Sequence, residues 1–220
     1  MTYGLLLGLV IGTYLLGAIP FGFLIAKAHG VDIREKGSKN IGMTNVWRVL
    51  GWKAGVPVFV LDFAKGFVPV FLTRTLVPPE VLPVSMDLAV VFIGLAAVCG
   101  HIWTVFLHFK GGKGVATATG VFFALAPLAT GIVMILFLLV VFPTRYISLG
   151  SISAAISLPV IIGVQVFVLR TAVPAVPTFY LALCIGLFVI FRHRSNIQRL
   201  LNGTENKFGT SSSSTSTKSA

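Results

Sequence analysis

Along this 220-residue chain, long stretches without a charged residue alternate with short polar ones. The uncharged runs 4–26, 88–107, 114–142, 146–169 and 171–191 measure 23, 20, 29, 24 and 21 residues. Another stretch, 54–76, is apolar apart from Asp62, Lys65, Arg74 and a few small polar side chains. A helix needs roughly 20 apolar residues to cross the hydrocarbon core of a bilayer. The pattern therefore predicts an all-α, polytopic membrane protein. The first run has no basic segment before it and exceeds the roughly 7–15 residues of a signal-peptide core, so it reads as a retained helix.

Composition agrees: 56 % of residues are hydrophobic, 10 % are charged, and mean hydropathy is +0.96. Cys99 and Cys184 lie inside apolar runs without metal-ligand spacing and read as small buried hydrophobes. The net charge of +11 would suggest nucleic acid in a soluble chain. Here the basic residues sit in short loops beside apolar helices, where they set orientation, and no compact basic domain is left for DNA or RNA. Fourteen of the 17 Lys and Arg fall in the first loop, the stretch around 110–113, Arg145 and the C-terminal tail. If these share the cytoplasmic side, parity requires a break in 114–142, and Ala126-Pro127 supplies it. The expectation is seven transmembrane segments, some short or broken, with the N-terminus outside and the C-terminus cytoplasmic. Six segments is the alternative. Residues 1–208 read as a single domain. The Ser/Thr-rich tail 209–220 reads as disordered or as a cloning remnant.

Three polar loops meet at the cytoplasmic face in this topology. "GSKNIGMTNVWR" (37–48) offers Ser38, Asn40, Thr44 and Asn45 beside Arg48, groups that suit a phosphate. On its own, this loop is slightly better explained as an Asx/Ser-rich turn capping the next helix. "FKGGKGVATATG" (109–120) lacks the spacing and the Ser/Thr of a nucleotide P-loop. What remains is Lys110, Gly111, Gly112, Lys113 and Gly114 before a helix start, an arrangement that can cradle an anion. "RHRSNIQRLLNGTENK" (192–207) places His193, Asn196 and Arg199 at helical spacing. Its Glu205 reads as a structural partner of an arginine rather than a base. Asp62 and Lys65, three apart on one helix face, read as a mutual ion pair supporting the site from below. His101 reads as a packing histidine. Arg145 and Ser148 stand where two apolar runs meet, on the side of the three loops.

Taken together, these runs resemble the bacterial acyl-phosphate:glycerol-3-phosphate acyltransferases of the inner membrane, across about residues 4–207. "GSKNIGMTNVWR", "DFAKG", "GHIWTVFLHFKGGKGVAT", "RYISLGS" and "RHRSNIQRLLNGTE" look like the family's motifs in order. Thr104 stands where the family usually has proline, and Lys39 and Met43 where smaller residues are common. The resemblance implies transfer of an acyl chain from a fatty acyl phosphate to the 1-hydroxyl of glycerol 3-phosphate, giving lysophosphatidic acid and inorganic phosphate. It also implies that the glycine-rich loop holds the phosphate of glycerol 3-phosphate.

An acyl phosphate is already activated, so such a site needs positioning and charge stabilisation more than a nucleophile. No H-x-x-x-x-D motif and no G-x-S-x-G elbow occurs in the chain. The expected catalytic set is Ser38, Arg48, His193 and Asn196. Substrate is expected at Asn40, Thr44, Asn45, Lys110, Gly111, Gly112, Lys113, Gly114, Arg145 and Ser148. Asp62, Lys65 and Glu205 are expected as support. Ser38, Arg48, Ser148 and Arg145 are assigned to the donor phosphate, and that phosphate, rather than His193, is expected to take the proton. No metal, cofactor or obligatory protein partner is implied, and the surroundings are membrane lipid. The alternative is a transporter or channel for phosphate or an organic anion, against which stand the one-sided polar residues and the lack of an internal repeat.

Overall fold

The computed structural model describes residues 2–209 except 172 and 174, and every regular element among them is helical. The tail 210–220, expected to be disordered, lies outside the described residues. The first apolar run forms two helices, α1 (Thr2–Ala18) and α2 (Phe21–Ala28). They part at Pro20, which has no N–H to continue the ladder. The short α3 (Met43–Leu50) leads into α4 (Trp52–Leu76), and α5 (Met86–Ile102) follows. The long run 114–142 divides at Ala126 into α6 (Val115–Leu125) and α7 (Pro127–Thr144), the break expected between Ala126 and Pro127. α8 (Ile147–Gly163) ends in a π turn, Val164–Val168. α9 (Val176–Arg192) and α10 (Arg194–Leu201) meet at His193 with a bend of 57°.

Five helical stretches are long and apolar enough to cross a membrane, or six if the bent α9–α10 pair counts as one span. At 11 residues α6 rises only about 16 Å, half of a bilayer core. It is shielded from lipid by its neighbours instead. Glycines let it approach α4: a Cβ on Gly120 would stand 2.1 Å from the Phe63 carbonyl oxygen, and one on Gly66 would stand 2.1 Å from that of Thr117. α1 and α5 cross in the same way, with Gly17 against Ala97 and Gly100 against the Tyr14 carbonyl. Small residues bring backbones together where lipid offers no hydrophobic drive between helices.

The carbonyls exposed at the Pro20 break find side-chain donors. Lys65 Nζ donates to Ile19 O at 2.9 Å, and Thr104 Oγ1 donates to Ala18 O at 2.5 Å. An unmet carbonyl at this depth would cost several kcal/mol, of order ~2–7. Thr104 thus does more than fill space. At the opposite end of the bundle, Arg74 and Asp87 face each other at 3.8 Å.

Candidate active site

The 37–48 loop is built around Asn45, which is 1 % exposed. Its side-chain oxygen accepts the Ser38 N–H at 2.8 Å, and its amide donates to the carbonyls of Ile33, Lys36 and Asn40. Gly37 makes this possible, since its φ is +57° and a Cβ there would meet Asn45 Oδ1 at 2.3 Å. Asn45, expected to touch substrate, spends its hydrogen-bonding capacity on folding the loop. Asn40 Oδ1 accepts the Gly42 N–H in the same spirit. The folded loop borders the cavity with Ser38, Asn40, Thr44, Asn45 and Arg48, of which Asn45 and the Asn40 side-chain oxygen are already engaged within the loop.

The glycine loop is pinned from two sides. Gly111 and Gly112 donate their N–H groups to the carbonyls of Ile102 and His101, each at 3.1 Å. Their own carbonyls accept from the Arg192 guanidinium at 2.9 and 3.2 Å. A Cβ on Gly112 would collide with the His101 ring at 2.1 Å. These two glycines are therefore needed for close approach, and their amides are not open to an anion. The groups that reach the interior lie one step further on: Lys113, Gly114 and the first residues of α6, Val115 and Ala116. A helix start with its unbonded N–H groups and positive dipole end favours an anion there. Lys110 lies outward and exposed.

Lys113 donates to Asn196 Oδ1. Asn196 Nδ2 donates to Glu205 Oε1 at 2.7 Å, and Ser148 Oγ donates to the same oxygen at 2.9 Å. Arg199 Nε donates to Glu205 Oε2 at 2.7 Å. Glu205 is the acceptor that joins α8, α10 and, through Asn196, the glycine loop. Burial works against its charge, but the bonds from Asn196, Ser148 and Arg199 outweigh it and hold the carboxyl below its ordinary range. Burial pulls Lys113 down to about 8; Glu205 opposes the fall, and Arg199, Arg192 and Arg48 add to it.

His193 occupies the α9–α10 joint. Its Nδ1 lies 2.7 Å from Val189 O, and because a carbonyl only accepts, that nitrogen carries the proton. Nε2 is left as the ring's acceptor. Lys65 Nζ stands 2.7 Å from Asp62 Oδ1, an electrostatic contact without hydrogen-bond alignment. His101 Nδ1 lies 3.6 Å from the same oxygen. Asp62 and His101 both reach the cavity wall, so His101 is more than packing. The close approach of Gly112 was the available signal, but a lone mid-helix histidine does not reveal it. Arg192, the loop's clamp, was likewise hidden in a run of basic residues. Arg145 is exposed and turned away from the cavity: its Nε donates to Phe208 O at 3.0 Å, and its carbonyl accepts the Phe208 N–H at 2.7 Å.

These residues enclose a cavity of about 160 Å³. Ser38, Arg48, Lys113, Ser148, His193, Asn196 and Glu205 line it. Beside it lies a second cavity of about 300 Å³ between α6, α7, α8 and α9, walled by residues such as Ala118, Phe122, Val133, Leu158, Ala182 and Ile185. One chamber offers cations and hydroxyls, and the other offers hydrocarbon. Such a pair accommodates an amphiphile whose anionic head and alkyl chain part at the boundary.

A sequence model of the glycerol-3-phosphate acyltransferase family matches residues 7–203. This chain belongs to that family. The glycerol-3-phosphate acyltransferase of Geotalea daltonii is 46 % identical over 202 residues, 91 % of this chain and 96 % of the relative. That of Aquifex aeolicus is 47 % identical over 201 residues, 91 % and 97 % of the two chains. The crystal structure of PlsY (YgiH), an integral membrane glycerol 3-phosphate acyltransferase, in its glycerol 3-phosphate form, is also similar. It superposes with a TM-score of 0.82 at 45 % identity, covering 93 % of this chain and 96 % of that one. Its lysophosphatidic acid form gives 0.80. The glycerol-3-phosphate acyltransferase family assignment makes this chain a membrane acyltransferase, in accord with the paired polar and apolar chambers.

Proposed function

We propose that the chain moves the acyl group of a fatty acyl phosphate to the 1-hydroxyl of glycerol 3-phosphate, releasing lysophosphatidic acid and inorganic phosphate. The observation that carries this reading is the junction of a cation-lined chamber with a hydrocarbon-lined one. Related solved structures in glycerol 3-phosphate and lysophosphatidic acid forms support the acceptor and the product.

The acceptor's phosphate sits at Lys113 and the α6 start, with Asn196 fixing the lysine. The donor's phosphate sits at Ser38 and Arg48, whose guanidinium suits a bidentate phosphate contact. Its alkyl chain runs down the apolar chamber. The acceptor oxygen adds to the acyl carbon, and the bond from that carbon to the phosphate oxygen breaks. Arg48 stabilises the charge gathering on the leaving phosphate. The hydroxyl proton leaves with that phosphate, and His193 Nε2 accepts a hydrogen bond that orients the hydroxyl. Ser148 and Glu205 hold Asn196 and Lys113 in place, and Arg145 has no part in binding. No cofactor or metal enters any of these steps.

The protein crosses a bacterial cytoplasmic membrane seven times, with α6 as the short segment, the N-terminus outside and the chambers opening on the cytoplasmic face. Residues 2–208 work as one domain. The test is to supply purified protein with palmitoyl phosphate and glycerol 3-phosphate and follow phosphate and lysophosphatidic acid together. Equimolar appearance of both is expected. Activity with an acyl thioester of coenzyme A but not with acyl phosphate would overturn the donor assignment.

A further inference from the structure

Five residues belong to the walls of both chambers: Met43, Phe59, Val115, Phe137 and Ser151. They come from five different helices, α3, α4, α6, α7 and α8, and mark the passage where the two chambers adjoin. Four of them are apolar. The fifth, Ser151, is 4 % exposed and donates its hydroxyl to Ile147 O at 2.9 Å, which takes its proton out of the passage. Phe137 packs against Gly150, where a Cβ would stand 2.9 Å from its ring. Phe59 packs beside Phe63, with ring centroids 6.2 Å apart. This neck is therefore braced from behind and offers water no side-chain donor.

We infer that this neck decides between glycerol 3-phosphate and water as acyl acceptor. The inference rests on the acyl phosphate reading above. With the donor phosphate in the polar chamber and the alkyl chain in the apolar one, the reactive carbonyl carbon lies at the neck. Transfer forms a bond from the acceptor oxygen to that carbon and breaks its bond to the phosphate oxygen, the proton leaving with phosphate. Hydrolysis breaks the same bond with water as nucleophile, giving a fatty acid and inorganic phosphate. Both reactions balance, and both release one phosphate. A hydroxyl held by its own phosphate in the polar chamber is carried past the Phe59 and Phe137 rings, whereas free water meets four apolar walls and a serine that keeps only its acceptor oxygen. Closing a site to water is a general way to prevent hydrolysis of an activated intermediate.

The experiment uses radiolabelled palmitoyl phosphate with saturating glycerol 3-phosphate and reads free palmitate against lysophosphatidic acid. Phe59→Ala and Phe137→Ala are each expected to raise the palmitate-to-product ratio about tenfold as water enters the neck. Phe71→Ala provides the comparison. It lies on the same aromatic row as Phe67, 45 % exposed and outside both chambers, and should leave the ratio unchanged. Phe59→Leu and Phe137→Leu keep the neck apolar and fold more readily. They should shift the ratio in the same direction by a smaller factor, and they decide the matter if the alanine variants do not fold. A folded variant with the parental ratio overturns the inference. A parent protein that yields neither product from palmitoyl phosphate overturns the underlying donor reading instead.

Discussion

Replacing Glu205 with alanine removes one carboxylate and three hydrogen bonds at once. Ser148 and Asn196 lose their partner at Oε1 and Arg199 loses its partner at Oε2, at 2.7–2.9 Å. Hydrogen bonds to a charged group are worth roughly 1.5–3 kcal/mol each, and breaking a buried charged pair costs roughly 3–5. The bonds share one acceptor and do not add. Arg199 is also 34 % exposed on its side chain and regains water when freed. We therefore expect a loss of about 3 kcal/mol, where those two ranges meet. The part felt at the site travels through Asn196, which holds Lys113. If most of it appears in the transition state, kcat/KM for glycerol 3-phosphate falls about a hundredfold, at 1.36 kcal/mol per decade. Glu205→Gln keeps an acceptor oxygen but loses the charge, and a fall of about tenfold is expected. The assay is phosphate release against glycerol 3-phosphate concentration, alongside thermal unfolding in detergent. An alanine variant that melts earlier but keeps kcat/KM within about threefold would refute the idea that Glu205 orders the site.

Lys113 gives the pH dependence. Its value of about 8 in the free protein means that the cation is present below that pH and lost above it, so kcat/KM for glycerol 3-phosphate should decline on the alkaline side of pH about 8. Lys113→Arg, which stays charged, should remove that alkaline limb even if its maximum is lower, and a limb that persists in this variant would assign the titration elsewhere. Lys65→Met should cost about 3–5 kcal/mol, because it strands Asp62 and uncovers the Ile19 carbonyl. Adding Asp62→Asn should recover part of that loss in thermal unfolding, and a double variant no more stable than the single would contradict the pairing. Arg145→Ala should change donor KM less than about twofold while costing up to ~1 kcal/mol through the Phe208 tether, whereas Arg48→Ala should weaken the donor severely. Equal effects of the two substitutions on donor KM would return Arg145 to the site.

Uniform apolarity announces a span but hides its interruptions. The sequence marks the Ala126-Pro127 break because parity demands one and a proline lies there. The Pro20 break carries a proline too, yet the run 4–26 is long enough to cross without it, so nothing asks for it. Polar composition likewise located the three loops, while their hydrogen bonds could not be read. Asn45 and Thr44 are neighbours of similar chemistry and both border the cavity; only the fold shows that Asn45 commits its amide to Ile33, Lys36 and Asn40. Gly111 and Gly112 have the composition of an anion cradle, but the carbonyls of Ile102 and His101, nine and eleven residues back, claim their amides. The neck was invisible because Phe59 and Phe137 look like any other bilayer side chains until two chambers are seen to share them.

The lysine and threonine that cover the Pro20 break have a consequence for how the chain assembles. They lie 46 and 86 residues downstream of the carbonyls they cover. At roughly 5–20 residues per second of synthesis, the first segment waits about 2–9 s for Lys65 and about 4–17 s for Thr104. During that interval its broken middle belongs at the membrane surface or against the insertion machinery, where water or protein meets the bare carbonyls. Its final seat is completed only once α4 and α5 arrive, so the first helix to be made is among the last to be locked.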